Sequence, residues 1–180
     1  MDLSSKQMPN SRTLMLTQGI SPYAQRIAKR YLSQWPLVFA SSVAVPQPLL
    51  DTGNHVHIPS ADHSSFVHVL LKACLDHQVS YMLPLGQEEA LALRGAKILF
   101  EEYGIEVLVS DPYLAADSAG ENEPNSELPI MLQPPRELEL LILSKGEVLS
   151  PPDRANTKLP ARYSGVFTFN DDGQGYQCYA

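Results

Sequence analysis

The chain has 180 residues, 44% of them hydrophobic and 18% charged, with a formal net charge of -7. That length carries one domain with its own core. No apolar run reaches the roughly 20 residues of a membrane helix, and the acidic balance argues against nucleic-acid or anionic-membrane binding.

Thr13–Thr17 (TLMLT) reads as a strand running into Gly19. Ser21 suits a helix N-cap and Pro22 the first helical position, where a missing N–H costs nothing. Ile27, Ala28, Tyr31 and Leu32 follow at helical spacing, which predicts a helix to about Ser33. Leu37–Ala40 reads as a second strand, Ser41–Asn54 as loop with at most a short turn, and His55–Ile58 as a brief third strand. A second helix is predicted with Asp62 as N-cap, burying Phe66, Val67, Leu70, Leu71, Cys74 and Leu75. Ser80–Leu85 is a strand broken at Pro84. The next helix, from about Gln87 to Tyr103, is expected to bury Leu91, Ala92, Ile98 and Leu99. Gly104 is placed to end it in a left-handed conformation, with Ile105 making the accompanying apolar contact. Glu106–Ser110 (EVLVS) closes the set before Asp111-Pro112. Strands alternating with helices predict right-handed crossovers and a parallel sheet covered on both faces. The expected fold is α/β, a Rossmann-like doubly wound sheet with a short β-rich tail.

The texture then changes. Residues 113–137 hold Pro124, Pro129, Pro134 and Pro135, and from Asp111 to Glu127 there are acids but no base, which reads as an acidic Pro-rich linker. Residues 138–180 read as hairpins: Leu138–Leu143 and Ser144–Leu149 around a Lys145-Gly146 turn, then Val166–Asn170 and Tyr176–Tyr179 around a Gly-rich turn. These strands either extend the sheet edge or pair with another copy of the chain. The division is thus an extension at 1–12, a domain at 13–112, a linker at 113–137 and a tail at 138–180. MDLSSKQMPNSR lacks a secretory apolar region, so the expected compartment is cytoplasmic.

In open parallel sheets ligands sit beyond the carboxyl ends of the strands. Three loops therefore supply the candidate ligand-binding residues. The loop after the first strand, Gln18 to Tyr23, gives Gly19, Ile20, Ser21 and Tyr23, where the free N–H groups opening the helix suit a phosphate or carboxylate. The second gives Ser41 and Ser42, and the fourth gives Gly86, Gln87 and Glu88. The first turn has one glycine where a dinucleotide fingerprint needs three, and there is no P-loop. Glu88-Glu89 reads either as a carboxylate pair acting as base or amine anchor, or as acids complementing a helix dipole. Arg26, Lys29 and Arg30 form a basic helix face, either solvated or facing an acidic partner. The histidines between His55 and His77 spread around their elements, and no metal site is assigned. Cys74 reads as an inert core thiol and Cys178 as exposed.

The run HIPSADHSSFVHVLLKACLDHQVSYMLPLGQEEALALRGAKILFEEYGIEVLVSDP (His57–Pro112) has a Pro after the third strand and a helix opening near an acid. An apolar strand ending in Pro and a Glu-Glu helix start follow. In this pattern the stretch from Thr13 to Asp117 resembles the N-terminal pre-ATP-grasp domain of carbamoyl-phosphate synthase large-subunit-like proteins, in the ATP-grasp superfamily. In such proteins the domain precedes an ATP-grasp fold that binds Mg-ATP and ligates a carboxylate to a nucleophile. By position, its substrate-side loops fall on Gly19–Tyr23 and Pro84–Glu89. The nucleotide clamp, the lid and the Mg²⁺ ligands of the family have no counterpart here; Leu138–Ser150 is only faintly similar to an ATP-grasp strand pair.

The resemblance therefore implies a stand-alone domain with no catalytic residues and no cofactor of its own. It would act as a binding or assembly module for a small carboxylate or amino-acid-like ligand. The alternatives are the substrate-side component of a split carboxylate-amine ligase, using Mg-ATP only when completed by an ATP-grasp partner, and a homo-oligomeric scaffold paired through the tail.

Overall fold

The structure is a computed structural model describing residues 12–110, 129–132, 134, 139–171 and 175–180. The N-terminal extension and most of the acidic Pro-rich stretch lie outside the described residues. Sheet A contains β1 (Thr13–Leu16), β2 (Leu37–Ser41), β3 (His55–His57), β4 (Val79–Leu83) and β5 (Glu106–Val107), all parallel, in the order β3-β2-β1-β4-β5. The fold is therefore α/β with a five-stranded parallel sheet.

Successive side chains of β1 enter opposite cores. Leu14 and Leu16 join the cluster containing Tyr23, Ala24, Ile27, Ala28 and Tyr31 of α1 (Pro22–Tyr31). Met15 joins the opposite cluster, with Phe66, Leu70 and Cys74 of α3 (Phe66–Asp76). Leu93 of α4 (Gln87–Gly95) and Phe100 of α5 (Lys97–Glu102) complete that layer. The expected cap of α1 is present: Ser21 Oγ accepts from Ala24 N–H at 3.1 Å, and Pro22 is the first helical residue. At the end of α5, Gly104 has φ +74°, and the N–H groups of Gly104 and Ile105 bond Glu101 and Phe100 carbonyls. This is the expected glycine-terminated helix end.

Three expectations of the sequence are corrected. The helix over 87–103 divides at Ala96 into α4 and α5, and it turns Ala90, Leu93 and Phe100 inward, leaving Leu91 and Ile98 exposed. Ala92 and Leu99, also expected to be buried, are half-buried against the same core; apolar residues lie on both sides of this segment, so spacing alone does not separate Leu91 and Ile98 from the covered face. The second helix begins after Ser65, and Asp62 instead accepts from Ser60 Oγ in the preceding turn. Leu75 of that helix is exposed.

The tail forms sheet B. Its strands are β6 (Ile130–Leu132), β7 (Leu141–Ser144), β8 (Glu147–Ser150), β9 (Gly165–Phe169) and β10 (Gly175–Tyr179), in the order β6-β10-β9-β7-β8. Lys145 and Gly146 both have positive φ, 47° and 81°, in the turn joining β7 to β8, matching the twist of a two-residue hairpin. Ile130–Leu132, inside the stretch read as linker, pair in parallel with β10.

Between β2 and β3 the connection is the single-turn α2 (Gln47–Leu50), in which no residue is fully buried, so among the described residues α1 is the one helix in the first cluster. Sheet B covers the remainder of that face. Leu140, Ile142, Val166 and Cys178 share a core with Leu14, Leu16, Tyr81, Leu83 and Leu108. Polar ties reinforce it: Ser110 Oγ donates to Ser164 C=O at 3.0 Å, Ser150 Oγ donates to Tyr31 C=O, and Leu140 N–H donates to Tyr31 Oη at 3.3 Å. Cys178, expected to be exposed, is 1% accessible, and burial pushes its thiol up to about 12.

Because the two sheets share one core, Leu140→Ala is expected to cost about 2–5 kcal/mol. Urea unfolding followed by circular dichroism and by Trp35 fluorescence should show both midpoints falling together. Trp35 packs on this core and is the single tryptophan.

Candidate functional site

The strand order reverses direction between β1 and β4, so the crevice of this sheet lies between the loops that follow those two strands. A hydrogen-bonded knot closes its floor. Thr17 Oγ donates to Glu89 Oε2 and accepts from Leu85 N–H at 2.9 Å. Gly86 N–H donates to the same carboxylate oxygen at 3.2 Å, and the Gln18 amide nitrogen borders the same space beside Gly86. Glu89 is the third residue of α4 and turns back on the N-cap, as in a capping box. It is 5% exposed. Burial raises its carboxyl pKa above the usual range, against the pull of the Thr17 and Gly86 hydrogen bonds, with Glu88 adding to the rise.

Above the knot, the end of β10 lies across the crevice. Ala180 N–H donates to Leu85 C=O at 2.7 Å, and Tyr23 Oη donates to Cys178 C=O at 3.5 Å. Cys178 packs into the α1-side core and Tyr179 into the opposite one. Leu85 is thus held through its N–H by Thr17 and through its carbonyl by Ala180.

The open space is displaced to the flank of α1. A cavity of about 770 Å³ is lined by Gln18, Ser21, Tyr23, Gln25, Arg26 and Lys29, with Pro22, Pro134 and Ala180 at its borders. Among the described residues its lining contains two cationic side chains and no acidic one. Arg26 stacks over the Tyr23 ring at 5.2 Å and donates to Pro134 C=O at 3.2 Å, which fixes its guanidinium at the cavity edge. Lys29 makes no ion pair among the described residues. Gln25 donates to Gly19 C=O at 2.6 Å. Gln18 has φ +55°, a left-handed conformation uncommon outside glycine and typical of constrained sites.

Of the residues named from the sequence, Ser21 and Tyr23 line this cavity. Gly19 serves packing: a Cβ there would stand 2.6 Å from Phe39 Cβ, and its N–H bonds Ala40 C=O. Ile20 is half-buried in the same loop. Ser41 is buried and accepts from Val43 N–H at 3.2 Å, while Ser42 is exposed beyond it. Gly86 lies under the knot, where a Cβ would meet Gln18 Nε2 at 2.5 Å and Glu89 Oε2 at 2.9 Å. Gln87 and Glu88 are exposed at the start of α4, outside the cavity lining. Gln25 and Pro134 were not singled out from the sequence, and Gln18 only as the first residue of the loop after β1; Arg26 and Lys29 were seen only as a basic helix face. The one signal for them was their i, i+3 spacing on the helix that follows the first strand.

Among the described residues no group of three His, Cys, Asp or Glu could hold a metal ion, and no helix is long and apolar enough to cross a membrane. His55 stacks on Phe39 with centroids 4.9 Å apart, and His63 bonds Ser65 within its own turn. Comparison of the chain with protein-family models gives no match, and comparison with curated proteins gives none.

A carboxyl whose pKa folding raises stabilises the native chain fully below its unfolded pKa, and that contribution is lost as pH rises through the folded value. Thermal denaturation of Glu89→Gln should therefore show a flatter stability profile from about pH 4 upward than the parent chain. Gly86→Ala should lower the melting temperature at every pH, because its methyl group displaces the Gln18 amide and the Glu89 carboxyl.

Proposed function

We propose that this chain is a stand-alone binding module of the pre-ATP-grasp type, holding a small carboxylate or amino-acid-like ligand beside the first helix. The observation that carries the reading is the cavity at the carboxyl end of β1, with Arg26 and Lys29 in its wall and no acidic side chain among its described lining residues. An anion there gains two cations and sits by the N-terminal turn of α1, whose dipole favours negative charge. Gln18 and Gln25 add amide groups suited to a second polar function on the ligand. The resemblance of residues 13–117 to the substrate-side domain of carboxylate-activating ligases supports the same ligand class.

The test is a thermal-shift and calorimetric titration of the chain with acetate, succinate, glutamate and sulfate. A saturable rise in melting temperature is expected for at least one of them, following the logarithmic dependence of stability on free ligand. Lys29→Glu should abolish it without changing the ligand-free melting temperature appreciably, since Lys29 is exposed. If none of the four anions shifts the transition, the binding reading is wrong. As the substrate-side half of a split ligase, the chain would hold the carboxylate to be activated, and Mg-ATP would act only after a partner chain is added.

A further inference from the structure

Beside its cations, the wall of the cavity carries two neutral groups whose hydrogen-bonding roles are fixed. Ser21, Gln25 and Lys29 recur at i, i+4 and i+8 along α1 and its cap, which sets them in one row, with Arg26 adjoining. Gly19 C=O accepts from Gln25 Nε2 at 2.6 Å. A carbonyl takes only a donor, so the amide nitrogen is committed to the loop and Oε1 is the atom left for a ligand. Ser21 is the converse. Its Oγ accepts from Ala24 N–H at 3.1 Å, and the hydroxyl proton is left to be donated. One turn of helix thus offers a donor and an acceptor, the pair that a peptide unit complements with its own C=O and N–H.

The cations continue the row. Lys29 stands about 6 Å along the axis from Gln25, and Arg26 is the next residue in the chain. Arg26 spends one N–H on Pro134 C=O at 3.2 Å, which leaves most of its five for a carboxylate. An ammonium group finds no such welcome. The described lining residues include no acid, and both cations and the positive end of α1 repel it. A free amino acid therefore loses at its amine what it gains at its carboxylate, whereas an acylated amine brings a neutral N–H. Pro22, Tyr23 and Pro134 supply apolar walls, and the volume of about 770 Å³ is larger than a lone amino acid fills.

We propose that the cavity selects an N-acylated amino acid, as at the carboxyl end of a peptide. The carboxylate lies on Arg26 and Lys29, the amide N–H donates to Gln25 Oε1, and the acyl carbonyl accepts from Ser21 Oγ. This deepens the anion-site reading and rests on it.

The test is calorimetric titration of the full chain with acetate, alanine, N-acetylalanine, N-acetyl-alanyl-alanine and the carboxyl-terminal amide of the last. N-acetylalanine is expected to bind about tenfold tighter than alanine, the worth of one or two net hydrogen bonds. The amide should lose at least that factor against its parent acid. Tighter binding of the dipeptide identifies peptide ends as the source of the ligand, and equal binding identifies single acylated amino acids.

Two variants separate recognition from loop packing. Gln25→Glu places a carboxylate where the acceptor was, which receives an ammonium, so the preference should turn toward alanine. Gln25→Met keeps the length without the acceptor, and should weaken N-acetylalanine while leaving acetate unchanged. A variant that only loosens the loop weakens every compound together and overturns the role of Gln25. Alanine and N-acetylalanine within about twofold of each other, or an amide that binds as well as its acid, overturn the proposal while acetate binding keeps the anion site. No binding by any of the five defeats both.

Discussion

A parallel sheet has two apolar faces, and both must be kept from water. In this chain the face carrying Met15, Val38 and Met82 is covered in the ordinary way, by α3, α4 and α5. Among the described helices the opposite face has α1 alone, because the next connection is a single helical turn with no fully buried residue. The uncovered part, around Tyr81, Leu83 and Leu108, is sealed by Leu140, Ile142, Val166 and Cys178 from sheet B. Each such side chain, fully buried, contributes about 1.5–3 kcal/mol. The tail is therefore a structural layer of the α/β body, and its position decides which parts of the strand ends remain open.

The consequence reaches the crevice. Once sheet B lies on this face, the end of β10 runs over the loops after β1 and β4 and fills the place where doubly wound sheets commonly take a ligand. The floor beneath is occupied by the Thr17, Gly86 and Glu89 knot, a buried polar network whose members satisfy one another. Among the described residues a cavity stays open on the flank of α1, and there the chain sets out cations and amides. The chemistry of the cavity thus follows from coverage of a face on the other side of its helix.

Much of the fold was legible because the signals are local. Ser21-Pro22 starts a helix, Gly104-Ile105 ends one, and Lys145-Gly146 turns a hairpin, each through backbone geometry that a few residues dictate. The orientation of residues 87–102 was not legible, since Leu91 and Ile98 are as apolar as Leu93 and Phe100, and only the sheet beneath distinguishes them. Of the candidate site, Ser21 and Tyr23 could be named from the position of their loop. Gln18 opens the same loop, but its left-handed backbone was not legible, because a glutamine carries no propensity for positive φ. Glu89 itself was readable as a first-turn acid, but nothing local separates its buried carboxyl from the exposed one of Glu88.

The crossing of the crevice by residues 178–180 also orders events in time. The contact from Tyr23 to Cys178 spans 155 positions of the chain. Contacts so distant along the sequence close late, after local structure has formed. A chain emerging from a ribosome can assemble β1 to β5 and their helices well before β10 exists. During that interval Leu85 lacks the partner for its carbonyl, and the α1-side face of the sheet is incompletely covered. Such exposed apolar surface is what makes partly folded chains prone to associate. The pairing of β10 thus ends the period in which this α/β body is most exposed to misassembly.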